Sequence, residues 1–155
     1  MDPLSITASV IAVATLAAKL CATFSSLREV CNVLPGRLHA LNNEIVDFEA
    51  VCRQVGSALD ERAAAELDAA TDAAIRRLLQ QARQTLVEVH AVLAAIVATS
   101  HRNRVAGVRA WKKEHARLEQ LQNEIKTVKS SLNILIGTSQ SYVPGRSPAS
   151  VFWAR

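Results

Sequence analysis

The sequence predicts an all-α protein folded as an antiparallel four-helix bundle. Residues 37–134 contain no Pro and only two Gly. Ala, Leu, Gln, Glu and Arg fill this region, and all of them favour helices. The β-branched runs between Gly turns that mark strands are missing. Apolar residues instead recur in alternating steps of three and four along four segments, which is the spacing of one helical face.

The first two predicted helices are separated by Pro35-Gly36, a pair that ends helices. Asp2 can cap the first helix, and Pro3 suits its first position. The apolar stripe of the first helix is Ile6, Val10, Val13, Ala17, Leu20, Phe24, Leu27 and Cys31. The stripe of the second is Leu38, Leu41, Ile45, Phe48, Cys52, Val55 and Leu59. Gly56 is a point where the second helix can end early, and residues 58–70 then predict a short extra helix or a helical loop.

The third and fourth predicted helices flank a polar joint, Ser100–Arg104. The third stripe is Ile75, Leu79, Ala82, Leu86, Val89, Leu93 and Ile96. The fourth is Val108, Trp111, His115, Leu118, Leu121, Ile125, Val128, Leu132 and Leu135. Gly137 is placed to end the fourth helix. We therefore expect a helical bundle over residues 1–137, with crossing angles near +20°, and a disordered tail over 138–155.

The charges are distributed unevenly along the chain. The formal net charge is only +4, which does not by itself imply nucleic acid. Residues 44–72 hold eight acids and two bases, whereas residues 101–129 hold eight bases and three acids. These segments predict surfaces of opposite sign, suited to packing on each other or to recruiting different partners.

Signatures of catalysis and metal binding are absent from the sequence. It has no GxxxxGK[ST] phosphate loop, GxSxG elbow or HExxH zinc motif. No histidine has zinc-ligand spacing, and His115 falls on the apolar stripe, where a core histidine is expected. Three cysteines without a CxxC pair indicate a reducing compartment. We expect a cytoplasmic protein that is not an enzyme and has no cofactor or metal.

The first helix is unusual because it is apolar nearly all round for four turns. The uncharged run Pro3–Ala18 has 16 residues, short of the roughly 20 that cross a bilayer. One interpretation is a central helix wrapped by the other three. The other is a helix that leaves or projects from the bundle to enter a bilayer or a partner's groove. The candidate residues for such a helix are Leu4, Ile6, Val10, Ile11, Val13, Leu16 and Leu20.

A basic set lies at the start of the fourth helix. Its members are Arg102, Arg104, Arg109, Lys112, Lys113 and Arg117. One interpretation is a solvated helix face with Trp111 in the core. The other is a surface that attracts anionic lipid headgroups, with Trp111 at the membrane interface. Nucleic acid is not expected as a partner, because no reader motif accompanies the charge.

The opening of the chain resembles a known family. The residues are Met1-Asp2-Pro3-Leu4-Ser5-Ile6, followed by an Ala/Val/Leu-rich run to Phe24. This pattern is similar to the fungal N-terminal domain of STAND proteins, the HeLo-like group. The resemblance implies a helical domain that precedes nucleotide-binding oligomerisation domains and repeats. It also implies a link to programmed cell death and heterokaryon incompatibility, where relatives permeabilise membranes with the N-terminal helix. Here that segment would be Leu4–Leu20.

Two functional hypotheses follow from these observations. In the first, a membrane-associating module exposes its N-terminal helix when it oligomerises. In the second, a helical adaptor binds itself or related helical domains and has no membrane activity. Cosedimentation with anionic liposomes separates the two.

Overall fold

A computed structural model describes residues 3–30, 36–61 and 69–141 of the chain, and every described residue except Asn103 is helical. The helices are α1 (Pro3–Val30), α2 (Gly36–Glu61), α3 (Ala69–Arg102) and α4 (Arg104–Ser141). The prediction of an all-α four-helix bundle is confirmed. Within the described ranges there is no strand.

The four helices occupy the corners of a square. α1 packs on α2 and α3, and α4 packs on the same two helices. In the described parts of the chain, α1 does not approach α4, and α2 does not approach α3. Each helix therefore has two neighbours and one outward side.

Contacts between α1 and α2 show that these helices run in opposite directions. At one end, the Arg28 guanidinium lies 3.2 Å from the ring nitrogens of His39. Towards the other end, Gly56 lies against the Val10 side chain. The residue numbers rise on one helix as they fall on the other, so the pair is antiparallel.

α3 and α4 are also antiparallel. The Thr85 hydroxyl donates to a Glu124 carboxylate oxygen over 3.2 Å, and Arg117 pairs with Glu88 at 3.4 Å. Both contacts link the middle of α3 to the middle of α4 and set the level at which the two helices meet.

Ion pairs show that α2 and α4 are parallel neighbours. Arg37 pairs with Glu119 at 2.6 Å, and about two turns further along both helices Lys129 pairs with Glu44. The Lys129–Glu44 pair joins a base of residues 101–129 to an acid of residues 44–72, as the charge pattern predicted. In the Arg37–Glu119 pair the signs are reversed, since the base lies on α2 and the acid on α4.

The core is a single apolar cluster drawn from all four helices. The residues that the repeats predicted most firmly are all buried: Val13, Leu20, Leu41, Phe48, Leu79, Leu86, Leu118, Ile125 and Leu132. Two polar residues of α3, Thr85 and Ser100, are buried as well.

The turn between α3 and α4 is shorter than the polar joint predicted. Asn103 alone is not helical, and its Oδ1 accepts a hydrogen bond from the Val105 amide at 2.9 Å. This is an N-cap, which satisfies one of the unpaired amides at the start of α4. Gly107 then packs on Ser100 across the turn.

The α3–α4 hairpin extends past the other two helices. Arg37, at the start of α2, lies level with Glu119, and the end of α1 lies level with His39. The first 14 residues of α4, residues 104–117, therefore lie beyond the described ends of α1 and α2. At 1.5 Å per residue this projection is about 20 Å long. We call residues 90–117 the α3–α4 tip.

Three predicted boundaries differ from the structure. α2 continues through Gly56 to Glu61, and α4 continues through Gly137 to Ser141, so neither glycine ends its helix. Glycine inside a helix costs only about 0.5–1 kcal/mol relative to Ala, which packing on neighbouring helices offsets. Of the predicted extra helix, residues 58–61 belong to α2 and 69–70 to α3, while 62–68 lie outside the described residues. Most of the predicted tail, 142–155, also lies outside them.

Candidate interaction surfaces

The inner stripe of α1 belongs to the core. Ile6, Val10, Val13 and Leu20 are each at most 2% exposed, and they pack between α2 and α3. α1 nevertheless stands at a corner of the square. The interpretation of α1 as a central helix wrapped by the other three is therefore wrong, because in the described part of the chain α1 packs directly on α2 and α3 and lies diagonally across from α4.

The outer face of α1 is apolar and faces solvent. Ile11 is 60% exposed, Leu16 is half-buried, and the side chain of Leu4 lies outside the described residues. The exposed alanines on this side are Ala8, Ala12, Ala18 and Ala22. Lys19 is the only charged residue between Pro3 and Leu27.

Hydroxyl groups on α1 bond back to the helix itself. Thr15 donates to the Ile11 carbonyl at 2.8 Å, and Thr23 donates to the Lys19 carbonyl at 3.1 Å. Ser26 bonds to the Ala22 carbonyl in the same way. A hydroxyl that is satisfied by its own backbone is cheaper to place in apolar surroundings than a free one. These three hydroxyl groups are thus compatible with a bilayer or an apolar partner.

Two described helices are long and apolar enough to cross a membrane by length and composition: Ile6–Arg28 within α1, and α3. The uncharged run Pro3–Ala18 has only 16 residues, which are too few to cross a bilayer. The apolar segment in α1 is longer than that run because it includes the charged residue Lys19. About a third of the apolar window in α1 is buried in the bundle. Core helices of soluble bundles satisfy the same criteria, so length and composition leave both roles open for α1.

The predicted basic set lies entirely within the α3–α4 tip. Arg102, Arg109, Lys112 and Lys113 are exposed, and none of them forms an ion pair with another described residue. Arg117 is exposed and makes only the long contact to Glu88. Arg104 begins α4, and its side chain lies outside the described residues.

Trp111 packs partly into the core at the base of this basic surface. Its ring meets that of His115 edge to face, with the centroids 5.7 Å apart. His115 is half-buried and is not the enclosed core histidine that the stripe predicted. The aromatic pair instead lies at the boundary between core and solvent.

The prediction that Val108 lies in the core is wrong. Val108 is 54% exposed and Val105 is 63% exposed, and both lie on the tip beyond the described end of α2. The sequence repeat continues through this region, but the described part of α2 begins only at Gly36, close to the level of Glu119. No local signal reveals this, because the offset depends on how α2 and α4 pair.

The two candidate surfaces lie at opposite ends of the molecule. The N-terminal turns of α1 are at one end, and the tip is beyond the other end. The 23 residues of α1 from Ile6 to Arg28 and the projection of the tip together span about 50 Å. A surface that meets the molecule end-on therefore contacts either the N-terminal turns of α1 or the tip.

The cysteines are poorly suited to chemistry. Burial raises the pKa of the Cys52 thiol to about 12, with a smaller effect from the Glu49 carboxylate. The same two causes raise the pKa of Cys21. Cys31 lies outside the described residues. Among the described residues, no three His, Cys, Asp or Glu side chains are grouped as metal ligands would be.

One protein family matches almost the whole chain. The model of the pigment biosynthesis cluster protein PigL N-terminal family matches residues 1–141, which covers all four helices. The chain therefore belongs to this family of N-terminal domains. This finding supports the coarser part of the resemblance, a fungal-type N-terminal domain. No curated protein and no solved structure is significantly similar to the chain.

Proposed function

We propose that this chain is a non-enzymatic helical module that associates with membranes through α1. Such a role would match the HeLo-like domains of fungal STAND receptors that the opening residues resemble, and their part in cell death. The main support is the outer face of α1. It is apolar and solvent-exposed at Ile11, and the hydroxyl groups of Thr15 and Thr23 are satisfied by the helix's own backbone.

The proposed mechanism is a shift between two populations of the same bundle. In the resting form the inner stripe of α1 is buried against α2 and α3. In the active form α1 leaves its corner, and both of its faces enter the bilayer. Leaving the bundle exposes the stripe at Val13 and Leu20, so the active form needs compensation from lipid or from contacts between copies. The resting protein is cytoplasmic, and oligomerisation recruits it to the membrane.

A dye-release experiment with anionic vesicles tests this function. Ile11→Asp places a charge on the exposed face of α1 and is expected to abolish release by the full chain. A charge near the bilayer centre costs about 2.5–3.5 kcal/mol on insertion scales. Val46→Asp is the matched control, since Val46 is an exposed valine on α2, and it should release dye as the wild type does. Equal release by wild type and Ile11→Asp would rule out insertion through this face.

The alternative is a helical adaptor without membrane activity, and one observation favours it. The exposed alanines on α1 allow another helix to approach closely, and Ile11 can then serve as the central apolar contact. The partner would be a second copy or a related helical domain. Absence of dye release together with a concentration-dependent dimer that Ile11→Asp dissolves, measured by sedimentation, would favour the adaptor.

A further inference from the structure

We infer that the α3–α4 tip is the surface by which this protein docks on membranes that contain anionic phospholipids. The inference rests on the proposed membrane association. It assigns the first contact to the end of the molecule opposite the N-terminus of α1. Docking and insertion would then be separate steps that use different residues.

The charge of the tip fits an anionic surface. Arg102, Arg109, Lys112 and Lys113 are exposed there, and none pairs with a described acid. Glu114 is the only acid between residues 90 and 117. Each base near an anionic bilayer adds attraction that falls off within about 8 Å at physiological salt. The projection places these bases beyond the described ends of α1 and α2, where a bilayer can approach them without meeting those two helices.

The apolar residues of the tip distinguish a lipid surface from a merely acidic one. Val105 and Val108 are the exposed valines of α4. They share a helical face with Arg109 and Lys112, since residues three, four and seven positions apart lie on one side. Helices that bind at the interface combine such apolar side chains with Lys and Arg.

The α3 arm of the tip adds a second apolar face. Residues 89–100 contain no Asp, Glu, Lys or Arg. The exposed side chains along this stretch are Ala91, Ala94, Ala95 and Ala98. Earlier on the same helix the exposed residues include Arg77, Gln80, Arg83 and Gln84. The outer face of α3 therefore changes from polar to apolar as it enters the tip.

The shape of the tip also favours a bilayer over a protein partner. The two helices project about 20 Å beyond the described ends of α1 and α2, and the tip presents no groove of its own for a partner's helix to enter. Val105 and Val108 lie in the first turns of α4, next to the Asn103 turn. They are thus at the leading end of the hairpin, where an approaching surface makes contact first.

Vesicle binding by the full chain tests whether the bases of the tip attract the protein to an anionic membrane. The triple variant Arg109→Glu, Lys112→Glu, Lys113→Glu is expected to lose roughly 100-fold in partitioning onto vesicles of phosphatidylcholine with 30% phosphatidylserine, the composition of the probe. The matched control reverses three exposed bases away from the tip: Arg77, Arg83 and Lys126. Both variants change the net charge equally, so a difference between them reports location. Equal loss in the two variants would overturn the inference.

A second pair of variants tests the apolar contact. Val108→Asp should lower partitioning by roughly tenfold, the value of burying one valine, while Val46→Asp should lose much less. Circular dichroism confirms that each variant stays helical. Binding of wild type to a poly-glutamate column but not to phosphatidylserine vesicles would overturn the inference and assign the tip to an acidic protein.

The outcomes separate docking from insertion. Ile11→Asp is expected to bind anionic vesicles like the wild type and to release no dye. If the tip variants bind normally while Ile11→Asp still stops release, docking at the tip is wrong and insertion through α1 stands. If the tip variants lose binding while Ile11→Asp releases dye normally, the tip is the docking surface and insertion through this face of α1 is wrong.

Discussion

Gly107 of α4 packs so closely on Ser100 of α3 that no side chain fits between them. A Cβ on Gly107 would lie 2.2 Å from Ser100 Oγ and 3.0 Å from Ser100 Cα. Such approach is open only to glycine, and it lies four residues beyond the Asn103 cap. The single-residue turn and this contact together bring the two helices of the tip into one hairpin.

Gly107→Ala should therefore destabilise the protein despite the better helix propensity of alanine. Overpacking at a closed contact costs about 1–3 kcal/mol. Gly137→Ala is the control on the same helix, because a Cβ there meets nothing within 4 Å, and it should stabilise by about 0.5–1 kcal/mol. Urea unfolding of both variants gives the comparison. A gain in stability from Gly107→Ala would show that the two helices do not cross this closely.

Leu86 and Val87 are adjacent residues of α3 with opposite environments. Leu86 is fully buried, whereas Val87 is 51% exposed. Leu86→Ala should lower the free energy of unfolding by about 2–5 kcal/mol, since it leaves a cavity. Val87→Ala should change it by less than about 0.5 kcal/mol. Similar midpoints for the two variants would contradict the position of α3 in the bundle.

The two faces of α1 should respond differently to a charge. Val13 is 1% exposed, so Val13→Asp buries an unpaired carboxylate and should abolish the cooperative thermal transition. Ile11→Asp places the same group in solvent and should leave the transition nearly unchanged. Melting curves followed at 222 nm measure both. Equal damage from the two changes would mean that both faces of α1 are packed in solution.

Cys52 should resist alkylation in the folded protein. Its pKa of about 12 leaves almost no thiolate at pH 8. Because the folded pKa is raised above the ordinary value of 9.0, the unfolded thiol ionises first. The Cys52 thiol therefore makes its full contribution to the free energy of unfolding below pH 9, and this contribution is lost as the pH rises towards 12. Peptide mapping after iodoacetamide should show Cys21 labelled faster than Cys52, and urea should remove the difference.

The helix faces could be predicted from the sequence, but the pairing of the helices could not. Spacing alone placed Phe48, Leu93 and Ile125 in the core, because one face of each helix must be buried wherever the partners lie. The same rule failed at Val108, since burial there depends on where α2 begins relative to α4. That offset is visible only in contacts such as Arg37–Glu119.

The sequence predicted which residues form the candidate surfaces, but it did not predict where those surfaces lie in the folded protein. The sequence singled out the basic set and the apolar first helix. It could not show that the N-terminal turns of α1 and the tip lie at opposite ends of the molecule, nor that Val108 stands among the bases instead of in the core. Those facts follow from the square arrangement and the parallel pairing of α2 with α4, which are tertiary properties without a local signal.

The absence of contact between α1 and α4 determines what remains when the first helix is gone. The other three helices still form an unbroken row, with α2 and α3 each held by α4. α1 packs against one side of this row, on α2 and α3, and it does not pass between other helices. Its removal would open one trough between α2 and α3 and would leave every contact of α4 with its two neighbours in place.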